Sequence, residues 1–314
     1  MTGESTLSAQ TPTVVPAPDD EVTKVVTSQV SQSLTRRALR RFMRHRLAVI
    51  STVFMLIVVV VVFPLAPIVA PIHPHRITLT EVGQPPSLDH PLGTDLTGRD
   101  MWSRLVYGGR VSVAVGLVAV SIYMTIGTFL GSVAGYFGGR VDMLIMRITD
   151  TVMAFPVLVI LISIVAIVGP GLINAMLAIG LIGWTGVARL VRGQVLSLRE
   201  MDFITAAQAI GVPESQIIRR HILPNIVAPV TVAASFGIAG AILTEAGLSF
   251  LGLGVQVPIP SWGNMLNESQ SIAVLEQYVW LWIPPGLMIS LCVLAINFIG
   301  DGLRDALDPR MVLD

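Results

Sequence analysis

Residues 196–225 read LSLREMDFITAAQAIGVPESQIIRRHILPN and lie between an apolar run that ends near Val191 and another that begins at Ile226. A polar segment flanked in this way is a loop between two membrane passes. Its own pattern is helical. Phe203, Ala206, Ala207 and Ile210 recur at helical spacing, Gly211 stands where a left-handed cap would end that helix, and Pro213 suits the opening of another. The second predicted helix, Glu214–His221, turns Ile217 and Ile218 toward one face. It carries Arg219 and Arg220 near its C-terminal end, where the helix dipole favours cations. The expectation is a short helix, a glycine turn and a second short helix.

Composition sets the class. A chain of 314 residues that is 53% hydrophobic and 13% charged, with mean hydropathy +0.75, is too apolar for a soluble domain and reads as an integral membrane protein. The lone cysteine, Cys292, rules out a disulfide within the chain and a cysteine-based metal site. The lone lysine, Lys24, stands in no glycine-rich loop, so the phosphate-cradling Walker A motif is absent. Any ATP hydrolysis must occur on another polypeptide. No Ser-His-Asp, metal or cofactor constellation stands out, and no catalytic residue is assigned.

Taken in order, residues 1–34 read as a disordered cytoplasmic tail, rich in Thr, Ser, Pro, Val and acidic residues. Residues 35–70 form a basic anchor and the first transmembrane helix. Arg36, Arg37, Arg40, Arg41, Arg44 and Arg46 precede the charge-free run Leu47–Ala70, which Pro64 and Pro67 would kink or end early. A basic cluster abutting a span is a topology determinant that can lie on anionic headgroups, so no nucleic-acid partner is read from it. The run is also too long, and starts too deep in the sequence, for a cleaved signal peptide. Residues 71–108 are expected outside the cell membrane. There Thr97 and Asp100 suit a helix start, Asp95 with Arg99 or Asp100 with Arg104 are spaced to pair, and Trp102 suits an interface. Residue by residue this is a capped amphipathic helix lying on the bilayer. The irregular, proline-rich spacing of His73, His75 and His90 argues against a metal site.

Residues 109–314 supply five further spans. They are Val111–Gly139, with Gly127, Gly131 and Gly135 as a small-residue stripe; Leu144–Val168 and Leu172–Val191, split by Gly169-Pro170-Gly171; Ile226–Gly252; and Tyr278–Gly300, kinked near Pro284-Pro285. Gly254–Gln277 is a turn-rich outer stretch, and Asp301–Arg310 leaves on the inner side. Among 20 Lys and Arg residues only Arg76, Arg99, Arg104 and Arg110 then fall outside, which places both termini in the cytoplasm. Glu245 is the one acidic residue deep in a span, and an intramembrane carboxylate is a candidate pathway residue. Lining a path, staying protonated against a neighbouring helix, and facing a water-filled vestibule all remain open for it. Asp150 would pair with Arg147 or with a partner loop.

Three stretches carry a family resemblance. Thr205-Ala206-Ala207, Gly211 and His221-Ile222-Leu223-Pro224 resemble the cytoplasmic signature loop of binding-protein-dependent ABC importer permeases, in which E-A-A is followed by a glycine and then I-x-L-P. Thr205 replaces the glutamate and His221 the isoleucine, and the ending His221–Asn225 is similar to the peptide and nickel branch. The run His90–Arg110 is similar to the segment after the first span of the C-type subunit of dipeptide and oligopeptide importers. Asp301–Arg310 resembles the end of that same subunit.

The resemblance covers about Arg36 to Asp314. It implies an all-α integral membrane protein with six transmembrane helices and a cytoplasmic helix-turn-helix coupling loop, the type I ABC importer permease fold. It further implies half of a translocation pathway for di- and oligopeptides in a bacterial plasma membrane. The partners implied are a B-type permease subunit, two ATPase subunits or domains holding ATP and Mg, and an extracytoplasmic substrate-binding protein. The motif positions it marks for ATPase coupling are Thr205, Ala206, Ala207, Gly211, His221, Leu223 and Pro224. On the residues alone, apolar Phe203 and Ile210 suit anchors in a partner's pocket; the alternative is that the alanines simply favour helix and the loop packs on its own bundle. Nickel, glutathione or oligosaccharide importers share these motifs. A proton-coupled carrier using Glu245 and Asp150 is the rival from another class, although no convincing inverted repeat is visible.

Overall fold

A computed structural model of the chain describes residues 34–307. The predicted tail 1–34 thus lies outside the described residues except at Leu34, as does the end of the chain from Asp308. The described residues form helices α1 (Leu34–Arg44), α2 (Arg46–Val62), α3 (Ala66–Val69), α4 (Met101–Phe137), α5 (Gly139–Met153), α6 (Val157–Val168) and α7 (Leu172–Ile182). There follow α8 (Trp184–Arg199), α9 (Asp202–Ala209), α10 (Glu214–Ile217), α11 (Leu223–Phe250), α12 (Trp262–Asn267), α13 (Ile272–Gln277) and α14 (Val279–Leu307).

Four stretches are long and apolar enough to cross a bilayer unaided: Met101–Phe137, Leu172–Arg199, Glu214–Phe250 and Val279–Leu307. Counting each of two bent pairs as one span gives up to six, Ala38–Arg44 with Arg46–Val62 at 93° and Gly139–Met153 with Val157–Val168 at 85°. The first bend has a local cause. His45 leaves helical geometry and its Nδ1 accepts the Ala48 amide, capping α2 and ending α1 in the same residue.

The boundaries depart from expectation in several places. The second span starts at Met101 rather than Val111, capped by Asp100, which accepts the Ser103 amide at 2.8 Å. The predicted surface helix is therefore the first turns of the long helix α4, and Asp100 rather than Thr97 begins it. Arg104 and Arg110, on these first turns, each find acceptors. Arg104 meets Glu268, while Arg110 donates to the Val62 carbonyl at 2.6 Å and to the Phe63 carbonyl, both freed by the end of α2. The third predicted span, Leu144–Val168, is broken at Ala154–Pro156, since Pro156 has no amide hydrogen and disfavours helical geometry at Phe155. Before the break, α5 buries only Thr149. Lastly, the segment 196–225 is mostly helix. α8 continues to Arg199, and Glu214–Phe250 is one helix through a wide π turn at Ile218–Ile222, so no break precedes Ile226. The π turn lies just before Pro224, which has no amide hydrogen to continue the ladder.

Packing follows the small residues. Gly127, Gly131 and Gly135 of α4 face Val187, Ala188, Val191 and Val195 of α8, so closely that a Cβ on Gly131 would sit 2.5 Å from the Ala188 carbonyl oxygen. α11 and α14 run antiparallel, pairing Ser235 with Gly300 and Ile242 with Ile296. One end of the bundle consequently collects the 200–222 segment, the C-terminal turns of α14 and helix α1. Phe42 and Ala48 pack on Gly302, and His45 Nε2 lies 4.0 Å from Asp305. At the opposite end, residues 71–100 meet the Ser261-capped helix α12, whose Trp262 is fully buried and donates to the Leu105 carbonyl at 2.9 Å. The expected turn-rich outer stretch thus includes a helix seated in the core.

Candidate functional site

Helix α9 is fixed on one face and open on the other. Ile204 is fully buried and Ala207 is 7% exposed, both in the cluster that holds Ile217, Ile222, Leu198 and Val212. Phe203 is 44% and Ile210 81% exposed, and Thr205, Ala206 and Ala209 face outward with them. Periodicity grouped Ala206 with Ala207, yet the structure turns them to opposite sides; alanine suits either environment, so composition could not separate them. The helix ends in a full Schellman turn. The Gly211 amide donates to the Gln208 carbonyl at 3.0 Å and the Val212 amide to the Ala207 carbonyl at 3.1 Å, with Gly211 at φ +77°.

Around this helix, Phe203 lies 6.3 Å from the His221 ring, and Gln208 Nε2 donates to the Tyr136 hydroxyl at 3.4 Å. Arg199 donates to the Tyr136 carbonyl at 2.9 Å, tying the loop to the end of α4. Leu223 is half-buried in the same core, and Pro224 is exposed in the first turn of α11.

Glu245 is fully buried. It accepts hydrogen bonds from Ser249 at 2.7 Å and Ser112 at 3.1 Å. Those hydroxyls in turn accept the amides of Val255 and Trp262, so one carboxyl links α4, α11 and the α12 loop. Sequence reasoning could not foresee the serines, which come from two helices and carry no pattern of their own. Glu245 does not line the lateral groove of about 320 Å³ between α4, α6, α8 and α11, which is bounded by Tyr123, Leu161, Gly183, Gly186, Gly237 and Thr244. We expect Glu245→Gln to melt close to wild type in detergent, because an amide accepts one hydroxyl and donates to the other. Glu245→Leu removes the acceptor of both serine O–H donors and should lose about 1–3 kcal/mol for each. Equal losses in both variants would contradict this.

The carboxylate of Asp150 pairs with Arg189 at 2.6 Å, not with Arg147, and both partners are about half exposed. Asp142 pairs with Arg192 of α8 at 2.6 Å.

At the opposite end sits a buried ion cluster of which the sequence revealed only the Asp95–Arg99 pair. Arg99 bonds Asp95 at 2.6 Å and Glu268 at 2.7 Å, while Arg104, 1% exposed, reaches Glu268 at 3.3 Å and Asp95 at 3.6 Å. Asp95 with Arg99 is one of the pairs their spacing predicted, whereas Glu268 comes from a distant segment and carries no local pattern that pointed to it. Burial works to raise Asp95, but the Arg99 amide, Thr97 and the two arginines outweigh it and hold the carboxyl below its usual range. For Glu268 burial prevails over Arg104 and Arg99, and the carboxyl is pushed up.

Nearby, His90 bonds Asp100 at 2.8 Å and approaches Glu81 at 3.4 Å. Burial opposes its charging, yet those two carboxylates prevail and raise it above 6.5. Its stabilising contribution is therefore complete below that ordinary value and is lost as pH rises through the higher folded one. Amide exchange, corrected for intrinsic rates, should show Gly93 and Met101 more protected near pH ~6 than near pH ~8; both amides sit on the turn that His90 anchors. Equal protection at the two values would count against the His90 link. Among the described residues no group of three or more His, Cys, Asp and Glu is arranged to hold a metal ion.

A bundle of helices long and apolar enough to cross a bilayer belongs to the class of multi-pass membrane proteins. Residues 127–313 match the family described as binding-protein-dependent transport system inner membrane component, and residues 33–86 match the N-terminal TM domain of oligopeptide transport permease C. The chain belongs to this family, the permeases of ABC importers. It is 44% identical to a dipeptide transport system permease protein of Alkalihalophilus pseudofirmus, over 94% of either chain. It is 42% identical to an oligopeptide transport system permease protein of Haemophilus influenzae, over 89% of either chain. A glutathione transport system permease protein of Pectobacterium atrosepticum is 42% identical, over 87% of this chain and 90% of that one. Among solved structures, the inward-facing MetNI methionine ABC transporter matches with a TM-score of 0.54 at 20% identity. That match covers 66% of this chain and 98% of the other, and it supports the type I permease fold.

Proposed function

We propose that this chain is one of two dissimilar permease subunits of an ABC importer for short peptides, driven by ATP hydrolysis on separate subunits. The observation that carries the reading is the outward face of α9, where Phe203, Ala206 and Ile210 stand in solvent on a helix whose inner face is locked. A side chain such as Ile210 forgoes roughly 1.5–3 kcal/mol by staying in water, and a pocket on an ATPase would recover that. Basic residues gather at the same end, in α1 and at Arg199, Arg219 and Arg220, which supports a cytoplasmic position for the loop and both termini. The segments 71–100 and 254–277 then face outward, where a substrate-binding protein would deliver cargo.

ATP and Mg belong to the partner ATPases in this reading, and this chain needs no cofactor. The groove beside Tyr123 and Thr244 is its half of the pathway, completed by a B-type partner permease. Closure of the ATPases pulls on α9 and α10, and the rigid helix Glu214–Phe250 carries that displacement into the groove wall. The dipeptide, oligopeptide and glutathione relatives support small peptides as the cargo class.

Reconstitution into proteoliposomes with the partner subunits tests this. Uptake should require ATP, ignore an imposed pH gradient, and fall about tenfold or more in Ile210→Asp, since a charge in an apolar docking pocket removes an anchor. Uptake that follows the pH gradient and ignores ATP would reject the proposal.

A further inference from the structure

We infer that α1 is a binding site for anionic phospholipid headgroups, built to strap the last helix to the membrane surface. The helix lies at 93° to α2, across the axis of the first span rather than along it. Its side chains divide into stripes. Arg36, Arg40 and Arg44, spaced i, i+4 and i+8, are all exposed, and no described carboxylate pairs with them. Beside them Leu39 and Met43, also i and i+4, are 62% and 60% exposed. The next stripe round holds Phe42, which packs on Gly302 of α14.

A helix crossing a span at nearly a right angle, with an apolar stripe beside a cationic one, fits the headgroup boundary. Leu39 and Met43 can enter the acyl region while the three guanidiniums sit at phosphate level. A soluble partner would satisfy the charges but would not account for two exposed apolar side chains directly next to the bilayer-crossing α2. The occupant therefore combines an anionic group with an acyl chain, and that is an anionic lipid.

The consequence lies in what α1 touches. A Cβ on Gly302 would approach Phe42 of α1 at 3.1 Å and Ala48 of α2 at 2.4 Å, and His45 at their junction lies 4.0 Å from Asp305, so α1 is packed against the C-terminal turns of α14. Since α14 packs along α11, the helix continuous with the coupling segment, lipid on α1 steadies the end of the bundle at which coupling is proposed. The importer reading supplies only the side of the membrane. The lipid site itself does not depend on what is transported.

Native mass spectrometry of the full-length chain in detergent, titrated with phosphatidylglycerol or phosphatidylcholine of equal chain length, tests the site. Wild type should retain phosphatidylglycerol preferentially, and inorganic phosphate should not displace it. With about fivefold in affinity per juxtamembrane charge, the triple variant Arg36→Gln, Arg40→Gln, Arg44→Gln should lose more than roughly tenfold of that preference. The corresponding triple lysine variant should keep it. Unchanged elution and helicity in both variants would confirm that they are folded. A glutamine variant that binds phosphatidylglycerol like wild type, a lysine variant that does not bind it, or displacement by phosphate would overturn the inference. None of these outcomes bears on ATP-driven uptake, so the two readings fail separately.

Discussion

Replacing Gly131 by leucine is expected to remove folded protein almost completely. The Cβ alone would stand 2.5 Å from the Ala188 carbonyl oxygen and 2.8 Å from the Val191 Cβ, and the first of these is backbone, which has no rotamer to change. Crowding of this kind costs about 1–3 kcal/mol for small insertions, and a leucine must separate α4 from α8 along the stripe of three glycines. Gly131→Ala should show the smaller loss. Gly240→Ala is the matched control, because a Cβ there meets nothing within 4 Å. Melting in detergent should place wild type and the Gly240 variant together, the alanine variant lower, and the leucine variant without a native transition. A leucine variant that melts within a few degrees of wild type would show that the two helices are not held as close as described.

A comparably large effect is expected from Glu268→Ala. Arg104 is 1% and Arg99 8% exposed in their side chains, and both reach Glu268. Without it, two buried guanidiniums share one carboxylate, Asp95. Removing one partner from a buried ion pair typically loses 3–5 kcal/mol, much of it the cost of the charge left behind, on the order of most of a membrane domain's margin. The two carboxyls have opposite pH signatures. Stability supplied by Asp95 is present above its ordinary 3.8 and is lost as pH falls through its lowered folded value. The contribution of Glu268 declines as pH rises from its ordinary 4.5 through its raised one. Glu268→Gln should abolish the second trend and spare the first. If Glu268→Ala melts like wild type, the cluster is not what joins the two outer segments.

The sequence carried most of the bundle and little of its charge chemistry. Apolar run length located the spans, and the spacing of Gly127, Gly131 and Gly135 marked a contact face, because both signals are local. The start of α4 was hidden for the opposite reason. Arg104 looks like the end of an apolar run until Glu268, from a distant segment, is placed beside it. Charge counting likewise put Arg110 in an outer loop, whereas it reaches back to the carbonyls that close α2.

The segment 196–225 was legible in part. Gly211 and Pro213 announced the turn, and the Schellman hydrogen bonds form at that glycine. What periodicity could not supply was the continuation of Glu214–Phe250 through Pro224, which depends on a π turn, or the inward placement of Ala207, which depends on Ile204 and its neighbours. Glu245 stood out as an intramembrane acid, and its role in the fold became clear only with Ser112 and Ser249 in place.

The most direct measurement is thiol cross-linking of α9 in intact membranes. Cys292, the single native cysteine, is buried, so Ala206→Cys presents one accessible thiol and Ala207→Cys, turned into the core, is its control. A bifunctional reagent should join position 206 to an ATPase subunit and leave position 207 unreacted. Failure of position 206 to capture an ATPase, or its labelling by an impermeant reagent from outside the cell, would contradict the account.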